Sequence, residues 1–290
     1  MNVLVTGAYG QLGSEISALS GLYPELNIIG TDVDSLDITD NKSVEDFFKK
    51  IKPGFVINCA AYTAVDKAED EIEPATLINA TAPGIIALAC KKYNSKLIQI
   101  STDYVFNGKG FRPYNEEDPV DPIGVYGKSK YEGEINCLNN NSETVIIRTS
   151  WLYSSYGKNF VKTILKIGKE KDLLKVIFDQ VGSPTYAKDL AIVLLKIINQ
   201  YIKSESNFTP GIYHYSNEGV SSWYDFSVAI LKMANISCKI SPVKSEEFIT
   251  LAKRPHYSVL DKTKIKTTYN LEIQNWRESL LDCIQTIIKD

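Results

Sequence analysis

Tyr126 and Lys130 stand four residues apart in Val125-Tyr126-Gly127-Lys128-Ser129-Lys130, and no other tyrosine of the chain is followed by a lysine at that distance. At the start of a helix this spacing puts both side chains on one face. A free tyrosine hydroxyl, with a pKa of ~10, protonates a substrate poorly unless its anion is stabilised. A neighbouring ammonium supplies that stabilisation. The pair can therefore deliver a proton to a carbonyl oxygen. Spacing alone says little, because 17 tyrosines and 28 lysines give roughly one or two such pairs by chance. What adds weight is position, since the pair follows Ser101-Thr102-Asp103-Tyr104 at the end of a β-branched run. A Thr102 hydroxyl there can donate to the same carbonyl that Tyr126 protonates. Taken alone, Thr102 is more simply a residue closing a strand; the ordered set of three favours carbonyl chemistry.

A second cluster lies near the N-terminus. Gly7-Ala8-Tyr9-Gly10-Gln11-Leu12-Gly13 follows a first apolar run directly and opens a helical segment. Glycines at such a turn allow a tight bend, close approach of backbone to a pyrophosphate, and close helix–strand packing. The phosphate charge then faces a helix N-terminus. Asp32 closes the second apolar run, where a carboxylate can accept from the ribose diol of an adenosine. Asp34 is close enough to compete for that role, and a strand-end cap is the plainer one. An Asp here disfavours a 2′-phosphate and no Arg neighbours it, yet the choice between NADH and NADPH stays open.

These residues need a frame. Short β-branched runs at 3–6, 26–31, 55–58, 97–101 and 144–149 alternate with segments of helical period such as 43–51 and 76–93. Near-continuous apolar strands between helices predict an α/β fold with a Rossmann-type, doubly wound parallel sheet, ligands lying at the carboxyl ends of its strands. Beyond Trp151 the rhythm changes. Helices are expected at 159–170, 186–202, 222–234 and 276–289, with short strands near 175–178 and 211–215. The division expected is a cofactor-binding domain over 1–150 and a smaller α+β substrate lobe over 151–290, parts of which can return to the first sheet.

Composition limits the partners. The net charge of −3 gives no bulk attraction to nucleic acid or to a membrane surface. Only four of the 32 basic residues are Arg (Arg112, Arg148, Arg254, Arg277), and two histidines nearly exclude a multi-His metal centre. No uninterrupted run reaches the ~18 apolar residues of a membrane span. Five scattered cysteines without a CxxC pair fit reduced, mostly buried thiols, so a cytoplasmic location is expected.

The chain resembles the extended short-chain dehydrogenase/reductase family over nearly its whole length. The carriers are the glycine turn, Ala64-Val65-Asp66-Lys67-Ala68-Glu69 with the Asn58–Thr63 residues before it, Ser101–Phe106, Val125–Lys130, Arg148-Thr149-Ser150-Trp151, and Asp179-Gln180-Val181-Gly182-Ser183-Pro184-Thr185. The resemblance implies hydride transfer from NADH or NADPH to the C4 ketone of dTDP-4-dehydro-β-L-rhamnose, giving dTDP-β-L-rhamnose. By the same resemblance Tyr126 is the proton donor, Lys130 its pKa modulator and ribose anchor, and Thr102 the polarising hydroxyl. Cofactor contacts would fall on Gly7, Gly10, Gln11, Leu12, Gly13, Asp32, Asp37, Ile38, Ala61, Tyr62 and Thr63. Substrate contacts would fall on Thr102, Asp103, Trp151 and Arg254, with Trp151 against the sugar and Arg254 near the diphosphate. Trp151 can equally be a core anchor, and Arg254 a solvated loop charge.

One departure bears on assembly. Some relatives bridge two subunits through a magnesium ion held by glutamates, the first matching Glu15; the second falls on Lys188, which cannot ligate a metal. No magnesium-bridged dimer is expected, leaving monomer or another homodimer. Two rivals use the same frame. A nucleotide-sugar 4-epimerase or 4,6-dehydratase keeps the Tyr/Lys pair, but a dehydratase needs an Asp-Glu pair after its Thr, where this chain has Asp103-Tyr104. A non-catalytic subunit resembling the regulatory β subunit of methionine adenosyltransferase would not need the complete Thr102/Tyr126/Lys130 set.

Overall fold

The computed structural model describes residues 1–248 and 250–289. Five strands and six helices occupy the first half: β1 (Asn2–Thr6), α1 (Gln11–Ala18), β2 (Asn27–Thr31), α2 (Asn41–Ile51), β3 (Phe55–Asn58), α3 (Val65–Ala68), α4 (Ile72–Thr76), α5 (Ala82–Lys92), β4 (Lys96–Thr102), α6 (Val125–Asn140) and β5 (Thr144–Thr149). The second half holds β6 (Leu152–Tyr153), α7 (Phe160–Glu170), β7 (Leu173–Ile177), β8 (Val181–Gly182), β9 (Thr185–Tyr186), α8 (Ala187–Lys203), β10 (Gly211–Tyr215), β11 (Ser221–Ser222), α9 (Trp223–Met233), β12 (Lys239–Val243), α10 (Thr263–Tyr269) and α11 (Trp276–Lys289).

The main sheet is parallel, in the order β10-β5-β4-β3-β1-β2. Every residue of β3 and β5 is buried, as a sheet covered on both faces requires. One face packs on α1, α8 and α10 through Ile16, Leu194 and Ile265; the other packs on α2, α5 and α6 through Phe48, Ile86 and Cys137. Thus α8, β10 and α10 join the layers of the first sheet, although they follow residue 151. The remaining elements form a second core around Tyr153, Phe226 and Trp276, with the short ladders β6–β9, β7–β12 and β8–β11.

The structure reshapes the helix expected over 76–93. Its apolar run begins at Ile72 and passes through a π-helical turn, Leu77–Thr81, before α5. Pro83 supplies the reason, since it has no N–H for the carbonyl of Asn79 four residues earlier. Gly133 of α6 packs against that freed carbonyl; a Cβ there would lie 2.0 Å from it. Ile72–Lys92 is also long and apolar enough to cross a membrane by composition, but half of it is buried in the fold, as befits a core helix.

β12 lay outside the expected strands because its sequence, Lys-Ile-Ser-Pro-Val, has little β signature; it pairs in parallel with β7 alone. All five cysteines are free thiols.

Candidate active site

A cavity of about 930 Å³ opens at the carboxyl ends of β1, β2, β3 and β4, and the second core closes its far side. This is the expected location for ligands of a doubly wound sheet.

Its floor is backbone. Gly7 leaves β1 at φ +64°, and a Cβ on it would sit 2.7 Å from Ala60 N. Only glycine lets the turn pass so close to the segment after β3. Gly10 is the N-cap of α1 and offers no side-chain cap, so the first N–H groups of that helix stay available. Gln11 Oε1 is buried at the same end without a hydrogen-bond partner. Asp32 lines the cavity at the end of β2, accepting from Val33 N (2.9 Å) and Tyr9 N (3.3 Å). Asp34 is absent from the lining. Asp37, Ile38 and Thr39 complete the wall at this end, and Lys158 also lines the cavity, next to Gly157, which packs against Gln11. An open helix N-terminus, an orphaned amide oxygen and a strand-end carboxylate are a donor and acceptor set that fits a dinucleotide.

Two expected cofactor residues lie elsewhere. Gly13 is outside the cavity; a Cβ on it would meet Ala8 Cα and Gly7 O at 2.5 Å, so its role is to let α1 pack on the turn. Tyr62 turns its hydroxyl to Glu71 (2.5 Å). Its neighbours Ala61 and Thr63 do line the cavity. Buried Asn79, in the π turn, holds this segment: Tyr62 N donates to its Oδ1 (2.9 Å), while its Nδ2 lies 3.1 Å from both Tyr62 O and Ser129 Oγ. Asn79 thereby ties the cavity wall to the helix bearing Lys130. The signal for it was the proline inside an apolar helical run.

The reacting groups come from β4 and α6. Thr102 ends β4, its Oγ1 accepting from Tyr104 N (3.2 Å) and donating to Asp103 Oδ1 (3.1 Å). Glu69 of the Asp66–Glu69 run accepts from Val125 N (2.9 Å) and so caps α6. Gly127 presses α6 onto Tyr104 O, where a Cβ would lie 2.2 Å away. Tyr126 packs edge-on to Tyr104, with ring centroids 5.6 Å apart. Lys130 is buried and donates to Ile100 O at 2.6 Å. One turn further, buried Glu134 pairs with Arg148 of β5 (2.7 Å) and accepts from Ser101. This pair fixes α6 against the two strands that end at the site.

Desolvation pushes the Tyr126 phenol up to about 12, with the Asp103 charge adding to the rise and the hydrogen bond with Thr102 opposing it. The lysine ammonium is engaged by Ile100 O and is itself pushed down to about 8 by burial. Burial also raises the Asp103 carboxyl to about 7, against its bonds to Ser258 and Thr102. The cavity thus holds a firmly protonated phenol beside a lysine and an aspartate poised near neutrality.

Across the cavity Trp151 stands at φ +49° with its ring stacked on Trp223, centroids 3.5 Å apart. Both line the cavity, so Trp151 is a wall and a core contact together. Trp223 was missed because stacking across 72 residues leaves no local trace. Arg254 also lines the cavity and pairs with Asp66 at 2.6 Å, so it is no solvated loop charge. His256 lies outside the lining and its Nδ1 is 3.0 Å from Asp179 O. Among the described residues no group of three or more His, Cys, Asp or Glu is placed to hold a metal ion. Glu15 is buried against Ser154 Oγ (2.6 Å), with the Lys188 charge acting on it.

Known proteins are similar to this chain in sequence and fold. The family model described as the RmlD substrate binding domain matches residues 1–288. The spore coat polysaccharide biosynthesis protein SpsK of Bacillus subtilis is 42% identical over 98% of this chain and 96% of its own. A crystal structure of a dTDP-4-dehydrorhamnose reductase from Clostridium acetobutylicum superposes with a TM-score of 0.93 at 44% identity, covering 99% of this chain and 100% of that one. A dTDP-4-dehydrorhamnose reductase from Bacillus anthracis in complex with NADP gives 0.91 at 40% identity, covering 98% and 99%.

Proposed function

This chain belongs to the RmlD substrate binding domain family, and on that premise we propose that it is a dTDP-4-dehydrorhamnose reductase. It reduces the C4 ketone of dTDP-4-dehydro-β-L-rhamnose to the alcohol of dTDP-β-L-rhamnose. The observation that carries this reading is the meeting of Thr102, Tyr126 and Lys130 in one cavity with the glycine turn at one end and Trp151 and Arg254 at the other. A nicotinamide dinucleotide, NADPH or NADH, supplies the hydride when bound.

The chain does the rest. Gly7, Gly10, Gln11 and Leu12 receive the pyrophosphate at the α1 N-terminus, and Asp32 accepts from the adenosine ribose. Thr102 Oγ1 and Tyr126 Oη both approach the ketone oxygen as donors, which polarises the carbonyl. Because desolvation holds the phenol protonated at neutral pH, the proton is on Tyr126 when negative charge develops on that oxygen. Lys130, cationic below about pH 8, stabilises the tyrosinate left behind. Trp151 and Trp223 give the hexose an aromatic wall, Asp103 accepts from a sugar hydroxyl, and Arg254 meets the diphosphate. In this reading residues 1–150 mainly serve the cofactor and residues 151–290 mainly the nucleotide sugar. The free thiols accord with a cytoplasmic enzyme.

The test is an assay with each cofactor separately. Addition of dTDP-4-dehydrorhamnose is expected to consume NADH or NADPH stoichiometrically with dTDP-rhamnose formed. Conversion of the sugar without net loss of reduced cofactor would identify an epimerase instead.

A further inference from the structure

Arg254 is the one arginine among the residues lining the cavity, and how it is held bears on what it can read. Its Nη2 donates to Asp66 Oδ2 (2.6 Å) and its Nη1 to Asp66 Oδ1 (3.3 Å) and Ala252 O (3.4 Å). Asp66 therefore takes the end of the guanidinium. The adjoining edge, Nε–H with the outer N–H of Nη2, has no hydrogen bond among the described residues. That edge is a planar fork that matches two oxygens of a phosphate. Arg254 lines the cavity and Asp66 does not, and the bonds to Asp66 leave the Nε–Nη2 edge free.

The segment bearing Arg254 is anchored independently. Gly108, at φ +76°, lies so close that a Cβ would come 2.4 Å from Pro255, and Tyr257 N donates to Gly108 O (3.2 Å). Ser258 N donates to Val181 O (2.8 Å). Asp66 adds the Ala252 N–H (3.1 Å), but its distinctive contribution is to the Arg254 side chain.

We propose that Asp66 is a positioning residue for substrate binding, holding Arg254 end-on so that its Nε–Nη2 edge is presented ready-made to the diphosphate of the nucleotide sugar. This rests on the reductase reading above. Holding the side chain in place removes the ordering cost an unheld arginine would meet on binding. Simple charge argues the opposite way. Asp66 is an anion near an anionic ligand, so removing its charge without any positioning role would strengthen binding.

The experiment measures the dissociation constant of dTDP, together with KM and kcat for the keto sugar, in wild type, Asp66→Asn, Arg254→Ala and the double variant. Asp66→Asn is expected to weaken dTDP and raise the sugar KM about fivefold, the ordering cost of one long side chain, with kcat and the NADH KM unchanged. Arg254→Ala is expected to weaken dTDP by roughly 10–100-fold. In the Arg254→Ala background the Asp66 change should weaken binding no further. Unchanged or tighter dTDP binding in Asp66→Asn overturns the proposal, as does the same fivefold loss in both backgrounds or a fall in kcat alone. A wild-type chain that neither binds dTDP nor reduces the sugar removes the reductase reading itself, an outcome distinct from a working wild type with an indifferent Asp66→Asn.

Discussion

Residues 1–150 and the lobe around Trp151, Trp223 and Arg254 face each other across one cavity, and they are built by different means. On the first side, backbone does the placing: β1 to β4 end at the same level, and Gly7, Gly13 and Gly127 let main chain approach main chain within distances that exclude a Cβ. On the second side, side chains do it. Trp151 is held by stacking on Trp223, Arg254 by Asp66, and the segment before α8 by buried Asn217, which accepts from Tyr186 N (2.7 Å) and donates to Asp189 (2.7 Å), Ser279 (2.9 Å) and Gln274 O (3.2 Å). A surface made of backbone suits a ligand common to many enzymes. One made of side chains can be altered residue by residue to suit a particular sugar.

The contrast can be broken by substitution. Gly13→Ala drives a methyl into Ala8 Cα and Gly7 O, which are backbone and cannot swing aside. It is expected to cost about 3 kcal/mol of stability and abolish most cofactor affinity, measured by thermal unfolding and NADH titration. A variant with wild-type stability and cofactor affinity would show that the turn tolerates more than its geometry allows. Asn217→Ala leaves the buried Tyr186 N–H without this acceptor and removes the bonds to Asp189, Ser279 and Gln274 O, and is expected to cost about 2 kcal/mol. Its losses should fall on dTDP-sugar KM with NADH binding spared; equal weakening of both ligands would erase the distinction between the two sides.

Asp103 gives a smaller effect with a defined sign. Its carboxyl titrates near 7 in the fold, against an ordinary 3.8. Between those values the folded chain binds a proton that the unfolded chain does not, so stability falls as pH rises through this window. The difference in Tm between wild type and Asp103→Asn should therefore shift against the wild type from about pH 4 to pH 7 and level off above it. A difference independent of pH would mean that the carboxyl is not desolvated. His214 acts in the opposite sense: burial lowers its pKa to about 3, so its contribution is lost as pH falls below its ordinary 6.5. The comparison must for that reason be made between variants and not read from wild type alone.

How much of this was legible in the sequence follows the same division. Strands β1 to β5 and β10 were readable because each is a short apolar run whose period and boundaries are local. The helices α7 and α9 were readable to within a residue of their ends, and the structure places Asn159 and Ser222 there as their N-caps. Contiguous motifs placed Thr102, Tyr126 and Lys130 because all lie within one β–α unit. Trp223, Asn79 and the Asp66–Arg254 pair were not legible as site elements, since each depends on a partner 17 to 188 residues away. The direction of the Tyr62 side chain was hidden for a related reason: its motif neighbours reach the cavity, while its own hydroxyl donates to Glu71.

The central claim is that Tyr126 delivers the proton in a cavity whose cofactor side is otherwise intact. The direct measurement is kcat for dTDP-4-dehydrorhamnose reduction by Tyr126→Phe, with NADH affinity determined on the same preparation. The account predicts a fall in kcat of about 10²–10⁴-fold with cofactor affinity near that of the wild type. Turnover at the wild-type rate would contradict it and remove Tyr126 from the reaction.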